Sequence, residues 1–349
     1  MYRSRSEKGK MDATIGITES ERRYRVLSLD GGGIKGTYTA SVLENLERLS
    51  SKRISEHFDL IAGTSTGGII AIAIGLGVPL RQILELYVER GPEIFPAPAP
   101  GVGGKLSSLW RHTWRPKHSQ EVLAEALDRV IGGRKFGESQ NRLVIPAFNA
   151  VTGEIHLFKT SHIPAYQMDC QRPATDVALA TSAAPTFFSA YHDGRGGVYL
   201  DGGVWANCPA VVALTEATAK LGWPAEQIDV LSIGTTSTPF DIKRNKRRAG
   251  LFGWNKGVVD VLQQAQSSGM LGVARAMTGQ RLLRIDAVAR PGRFSLDNAS
   301  EVSDLQALGE NCARQNLETV CQQFLSDPVE AFTPCFDCSS VSANWLESA

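Results

Sequence analysis

Residues 25–36 read Arg25-Val26-Leu27-Ser28-Leu29-Asp30-Gly31-Gly32-Gly33-Ile34-Lys35-Gly36, and residues 58–67 read Phe58-Asp59-Leu60-Ile61-Ala62-Gly63-Thr64-Ser65-Thr66-Gly67. Each is a short apolar run that breaks into glycine and then gives way to a helical pattern. Thr37 to Leu49 carries apolar groups at helical spacing with charges between them. The run from Thr66 to Val78 is apolar almost all round, which suits a buried helix. Strand, glycine loop, helix, strand, sharp turn, helix is a βαβα order, and it calls for a parallel sheet covered on both faces. The expected fold is α/β, a three-layer α/β/α domain with a mainly parallel central sheet.

Further along, Pro79 closes the buried helix and Leu80 to Glu89 reads as another. Strands are expected at Arg142–Asn149, Glu154–Lys159, Gly197–Leu200, Asp229–Ile233 and Leu282–Ile285, with a hairpin turn at Thr152-Gly153. Gly91 to Lys105 is rich in Pro and Gly and reads as a loop. Leu106 to His118 sets Trp110 and Trp114 among Arg111, Arg115 and Lys117. Lys243 to Arg248 is a basic run ahead of a long helix expected from Val258 to Met277. The organisation expected is a disordered leader at 1–22 and a single domain at 23–326. Within that domain, residues 240–285 read as a helical insert suited to regulation, and 327–349 read as a tail.

The chain has 349 residues, 42% of them hydrophobic and 21% charged, with a net charge of +1. That balance suits a core-forming protein and argues against a surface that tracks a nucleic acid polymer. Ile69 to Val78, the longest apolar stretch, is about half of what a membrane span needs. The charged, polar N-terminus lacks the apolar core of a signal peptide, so a cytoplasmic location is expected. In such a compartment the six cysteines are read as free thiols, and Cys335-Phe-Asp-Cys338 as a feature of the tail.

Gly63-Thr64-Ser65-Thr66-Gly67 fits G-x-S-x-G, in which small residues let a strand-to-helix turn close around an exposed serine. The following helix would point its N-terminal amides at developing negative charge. Gly31, Gly33 and Gly36 also fit the dinucleotide pattern G-x-G-x-x-G, but the second strand ends in Gly63-Thr64-Ser65, where a ribose-binding acid is required. Consecutive glycine amides can serve instead as an oxyanion hole, with Lys35 adding positive charge nearby. The serine needs a base. No histidine follows Asp201, so this aspartate cannot take part in the order Ser…Asp…His. Asp201-Gly202-Gly203 is either an ordinary β-turn or a carboxylate held directly against the serine.

Asp-Gly-Gly-Gly-x-Lys-Gly, Gly-Thr-Ser-Thr-Gly, Ser182-Ala-Ala-Pro-Thr-Phe-Phe188 and Asp201-Gly-Gly, in that order from about Tyr24 to Thr236, resemble the patatin-like phospholipase family. The resemblance implies a Ser–Asp dyad with Ser65 as nucleophile and Asp201 as base, and an oxyanion hole from Gly31, Gly32 and Gly33. It implies acyl-ester hydrolysis of phospholipids through an acyl-serine, with no metal and no cofactor. Lys35 stands where many relatives have arginine, which keeps the charge and loses the fork.

The part after Phe240 is similar to the patatin-like effectors of bacterial CBASS anti-phage systems. That similarity implies activation by a cyclic dinucleotide such as cyclic GMP-AMP. Lys243, Arg244, Arg247 and Arg248 would then contact its phosphates, the alternative being a solvated basic loop. Peripheral contact with a phospholipid bilayer at the inner membrane face is implied as well. Trp110 and Trp114 suit either that contact or a lid. A homodimer is among the assemblies left open. Two other functions stay open: a constitutive esterase or thioesterase acting on soluble acyl substrates, and a non-catalytic nucleotide-binding module.

Overall fold

The computed structural model describes residues 22–96, 118–237, 257–290 and 293–336. β1 (Tyr24–Leu29) runs into α1 (Gly36–Ser50), and β2 (Leu60–Gly63) into α2 (Thr66–Gly75), α3 (Leu80–Ile94) and α4 (Gln120–Ile131). β3 (Arg142–Asn149) and β4 (Glu154–Lys159) form the expected hairpin, with Gly153 at φ 71° in its turn. α5 (Ala174–Thr181) leads to β5 (Tyr191–His192) and β6 (Val198–Asp201). The one-turn α6 (Gly203–Ala206) and α7 (Ala210–Thr215) precede β7 (Ile228–Ile233). α8 (Gly257–Thr278), β8 (Leu282–Ile285) and α9 (Val302–Gln323) follow. The strand order is β5-β6-β3-β2-β1-β7-β8, with β4 pairing β3. β3, β2, β1, β7 and β8 are successively parallel, and the pairings of β4, β5 and β6 are antiparallel.

Alternation along the central strands divides the core in two, because successive side chains leave a strand on opposite faces. Leu27, Leu29, Ile61, Leu231 and Ile233 join one buried cluster with residues of α1, α2, α3 and α9. Val26, Leu60, Ala62 and Val230 join the other, against α7 and Ala274 of α8. The result is the expected three layers. α9 lies so close to α1 that a Cβ on Gly309 would come within 2.7 Å of the Tyr38 carbonyl oxygen and the Ser41 side chain. Gly309→Leu is therefore expected to lower stability by about 2 kcal/mol, read from the urea midpoint at unchanged slope.

Several expectations are corrected. α3 continues past Glu89 through Pro92 to Ile94, into the stretch read as loop. Pro92 removes one ladder donor there, while burial of Ile94 and Phe95 in the core offsets the loss. α4, capped by Ser119 Oγ accepting from Val122 N, had no counterpart in the sequence reading. The strand expected at Leu282–Ile285 is present as β8, at the edge of the main sheet. The start of the tail packs on the body, with Val329 N donating to Glu56 O and Cys335 N to Ser161 O. Of the cysteines read as free thiols, Cys208, Cys312, Cys321 and Cys335 are free, whereas Cys170 is disulfide-bonded. Of the leader, only Arg22 is described, and it pairs with Glu330 at 3.0 Å.

β3 positions the site. Its first half pairs with β2, Ala62 against Val144, and its second half with β6, Ala147 against Asp201. Asp201 thus lies level with a point three residues beyond Val144, and Ser65 lies three residues beyond Ala62. The sheet register alone brings the two side chains to one place.

Candidate active site

Ser65 sits between β2 and α2 at φ 55° and ψ −123°, a conformation costly for a residue with a side chain. The surrounding turn over-determines it. A Cβ on Gly63 would meet Gly67 O at 2.2 Å, and one on Gly67 would meet Leu29 O at 2.3 Å, so neither position tolerates a side chain. Ser65 N donates to Thr181 Oγ1 (3.0 Å), whose own hydroxyl donates to Pro146 O (2.6 Å). Thr64 Oγ1 donates to Ala206 O at 2.6 Å.

Ser65 Oγ donates to Asp201 Oδ2 at 2.6 Å, and Gly203 N donates to Asp201 Oδ1 at 2.6 Å. The Asp201 backbone is pinned by Ala183 O, and that of Gly202 by Thr181 O. Both residues are buried. Burial pushes the Asp201 carboxyl up to about 6, with the Ser65 hydroxyl and the Gly203 amide pulling it down. None of the described histidines lines the cavity at Ser65, and His112 lies outside the described residues. His162 is committed instead to Glu216 (3.0 Å), and His156 packs edge-on to Phe158.

The glycine loop passes beside the serine. Gly31 N–H donates to Asn207 O at 2.9 Å and so is not free to meet an oxyanion, unlike the reading from sequence. The Gly32 and Gly33 amides have no acceptor among the described residues. Lys35 Nζ reaches Thr236 O (3.2 Å) and does not line the cavity. Behind the loop, Arg284 Nη2 donates to Asp30 Oδ2 at 2.6 Å and to Asp286 Oδ2 at 3.0 Å. Burial holds the Asp30 carboxyl above its ordinary value despite that guanidinium.

Ser65 and Asp201 open into a cavity. Gly32, Gly33, Ser182, Asn207 and Gln263 are also in its lining. The rest of the wall is mainly apolar, including Ile69, Leu86, Phe95, Leu123, Phe187 and Phe188. Asp201 is the only charged side chain in the described lining. Such a wall favours an alkyl chain over an ionic group. Among the described residues, no three His, Cys, Asp or Glu side chains are grouped as metal ligands. Lys243, Arg244, Arg247, Arg248, Trp110 and Trp114 lie outside the described residues. Sequence reasoning missed Thr181, Asn207 and Gln263, none of which belongs to a motif with local chemistry of its own.

The family described as patatin-like phospholipase matches residues 27–214. A cGAMP-activated phospholipase of Pseudomonas aeruginosa is 33% identical over 88% of this chain and 90% of its own length. Another of the same description from Escherichia coli is 35% identical over 63% of this chain and 64% of its own length. A third, from Vibrio cholerae, is 28% identical over 84% and 92%.

Proposed function

The chain belongs to the patatin-like phospholipase family and is a hydrolase, and from that premise we propose that Ser65 and Asp201 form its catalytic dyad. The observation that carries the proposal is the 2.6 Å hydrogen bond from Ser65 Oγ to the buried Asp201 carboxylate, at the head of an apolar cavity. Asp201 takes the serine proton as Ser65 attacks the ester carbonyl carbon. The oxyanion is received by the Gly32 and Gly33 amides, the two of the glycine loop whose donors are uncommitted. Collapse expels the lysolipid alcohol, which takes the proton back from Asp201 and leaves an acyl-Ser65. Water, giving a proton to Asp201, then releases the fatty acid. The acyl chain occupies the apolar wall.

Only ionised Asp201 can act as the base, and burial holds it at about 6. Activity is therefore expected to climb with pH through about 6 and then level off, being about tenfold lower near pH 5 than near pH 8. The kcat/KM profile of a soluble ester checks this. A plateau already reached below pH 5 would contradict the burial of the base.

We further propose that a cyclic dinucleotide, cyclic GMP-AMP in the first instance, activates the enzyme, as the names of its bacterial relatives suggest, and that the activated enzyme serves anti-phage defence. Lys243, Arg244, Arg247 and Arg248 are proposed as phosphate contacts, and the inner membrane face as the place of action. No helix among the described residues is long and apolar enough to cross a membrane. Fatty-acid release from phospholipid vesicles, with and without cyclic GMP-AMP, tests the reading. Release only with the nucleotide is expected. Equal release without it removes the switch and keeps the phospholipase. Hydrolysis of soluble esters alone would favour an esterase.

A further inference from the structure

We infer that Asn207 is a positioning residue of the oxyanion hole and that α8 holds it in place through Ser267 and Gln266. The inference rests on the Ser65–Asp201 reading, since it concerns the hole that serves that dyad.

Asn207 follows the aspartate turn, and every polar group it carries is committed or closely packed. Its carbonyl accepts the Gly31 N–H at 2.9 Å. Its own N–H donates to Gln266 Oε1 at 3.0 Å, and its Nδ2 donates to Ser267 Oγ at 3.0 Å. The remaining atom, Oδ1, fills the space a Cβ would need on two catalytic motifs at once, 2.6 Å from one built on Gly31 and 3.1 Å from one built on Gly203. The first glycine of the triple-glycine loop and the last of Asp201-Gly-Gly thus make room for the same amide. Gln266 also donates through Nε2 to Trp205 O, tying α8 to the same turn a second time.

Three pieces meet at this one side chain: the loop that offers Gly32 and Gly33, the turn that holds Asp201, and α8. Gly31 N–H is anchored on Asn207, and the next two residues line the cavity with no acceptor for their amides among the described residues. Displacement of a catalytic group by about 1 Å can cost on the order of 100-fold in rate. The Ser65–Asp201 bond is set first by the register of β2, β3 and β6, whereas the Gly31 anchor hangs on Asn207 alone. A shift of α8 is therefore expected to act on the oxyanion hole before it reaches the dyad.

The test uses the full-length protein as wild type, Ser267→Ala, Ser267→Thr, Asn207→Ala and the Ser267→Ala/Asn207→Ala double variant. The first readout needs no turnover: hydrogen exchange of peptides spanning Gly31–Gly33. Exchange is expected to quicken in Ser267→Ala and to return to the wild-type rate in Ser267→Thr, which keeps the hydroxyl. Unchanged exchange in Ser267→Ala overturns the inference. The second readout is hydrolysis of a soluble ester. Ser267→Ala should lower kcat about tenfold with KM within twofold, and should add nothing to Asn207→Ala because the link is already cut. Full additivity, or a raised KM at unchanged kcat, also overturns it. If Ser65→Ala hydrolyses as fast as wild type, the dyad reading falls instead, and the exchange data still decide the role of Asn207.

Discussion

Asp201→Asn is expected to lower kcat by about 10⁴-fold while making the folded protein more stable near pH 8. Asparagine fills the same space and can still accept a hydrogen bond, so the serine turn keeps its shape. What disappears is the ability to take a proton from Ser65. The stability gain follows from burial. A carboxyl held at about 6 binds its proton more tightly in the folded chain than in the unfolded one. Its contribution is complete below about pH 4 and is lost as pH rises through about 6, at a cost near pH 8 of about 3 kcal/mol. The variant escapes that cost, so its advantage in urea midpoint should be clear near pH 8 and vanish near pH 4. A loss of activity accompanied by lower stability near pH 8 would point to a structural role for Asp201.

Ser65→Ala is expected to bring fatty-acid release to the background rate, a loss of about 10⁴-fold or more, and to be no worse when combined with Asp201→Asn. The two residues act as one device, so removing either removes the same chemistry. Substitution should also move the partner. The Ser65 hydroxyl pulls the Asp201 carboxyl down against its burial. Without it, Asp201 should titrate above its wild-type position, which carboxyl-carbon NMR of the labelled protein would register. An unchanged titration would mean that the 2.6 Å contact carries little of the electrostatics assigned to it.

The βαβα frame was legible because residues 25–78 alternate strand and helix with glycine at each strand-to-helix junction, a local signal. The hairpin at Thr152-Gly153, the helix ending near Met277 and the strand at Leu282–Ile285 were legible for the same reason. The serine turn could be read from Gly63 and Gly67, because only a residue without Cβ closes so tight a turn. What brings Asp201 to Ser65 is register. β6 returns antiparallel along the second half of β3, and no periodicity within either strand encodes that pairing. The same limit applies to Asn207, whose meaning lies in contacts with Gly31, Gln266 and Ser267, all distant in the chain. It also explains why Gly31 looked like an oxyanion donor: the carbonyl that takes its N–H comes from a segment beyond the aspartate. The end of α3 misled for a different reason, since Gly91-Pro92 is local punctuation that burial of Ile94 and Phe95 overrides.

The most direct test of the dyad is fluorophosphonate labelling followed by intact-mass analysis and peptide mapping of wild type, Ser65→Ala and Asp201→Asn. A single adduct on the peptide containing Ser65 is expected in wild type, none in Ser65→Ala, and labelling slowed by orders of magnitude in Asp201→Asn. Labelling of Asp201→Asn at the wild-type rate, or an adduct on any other residue, would contradict Asp201 as the base that activates Ser65.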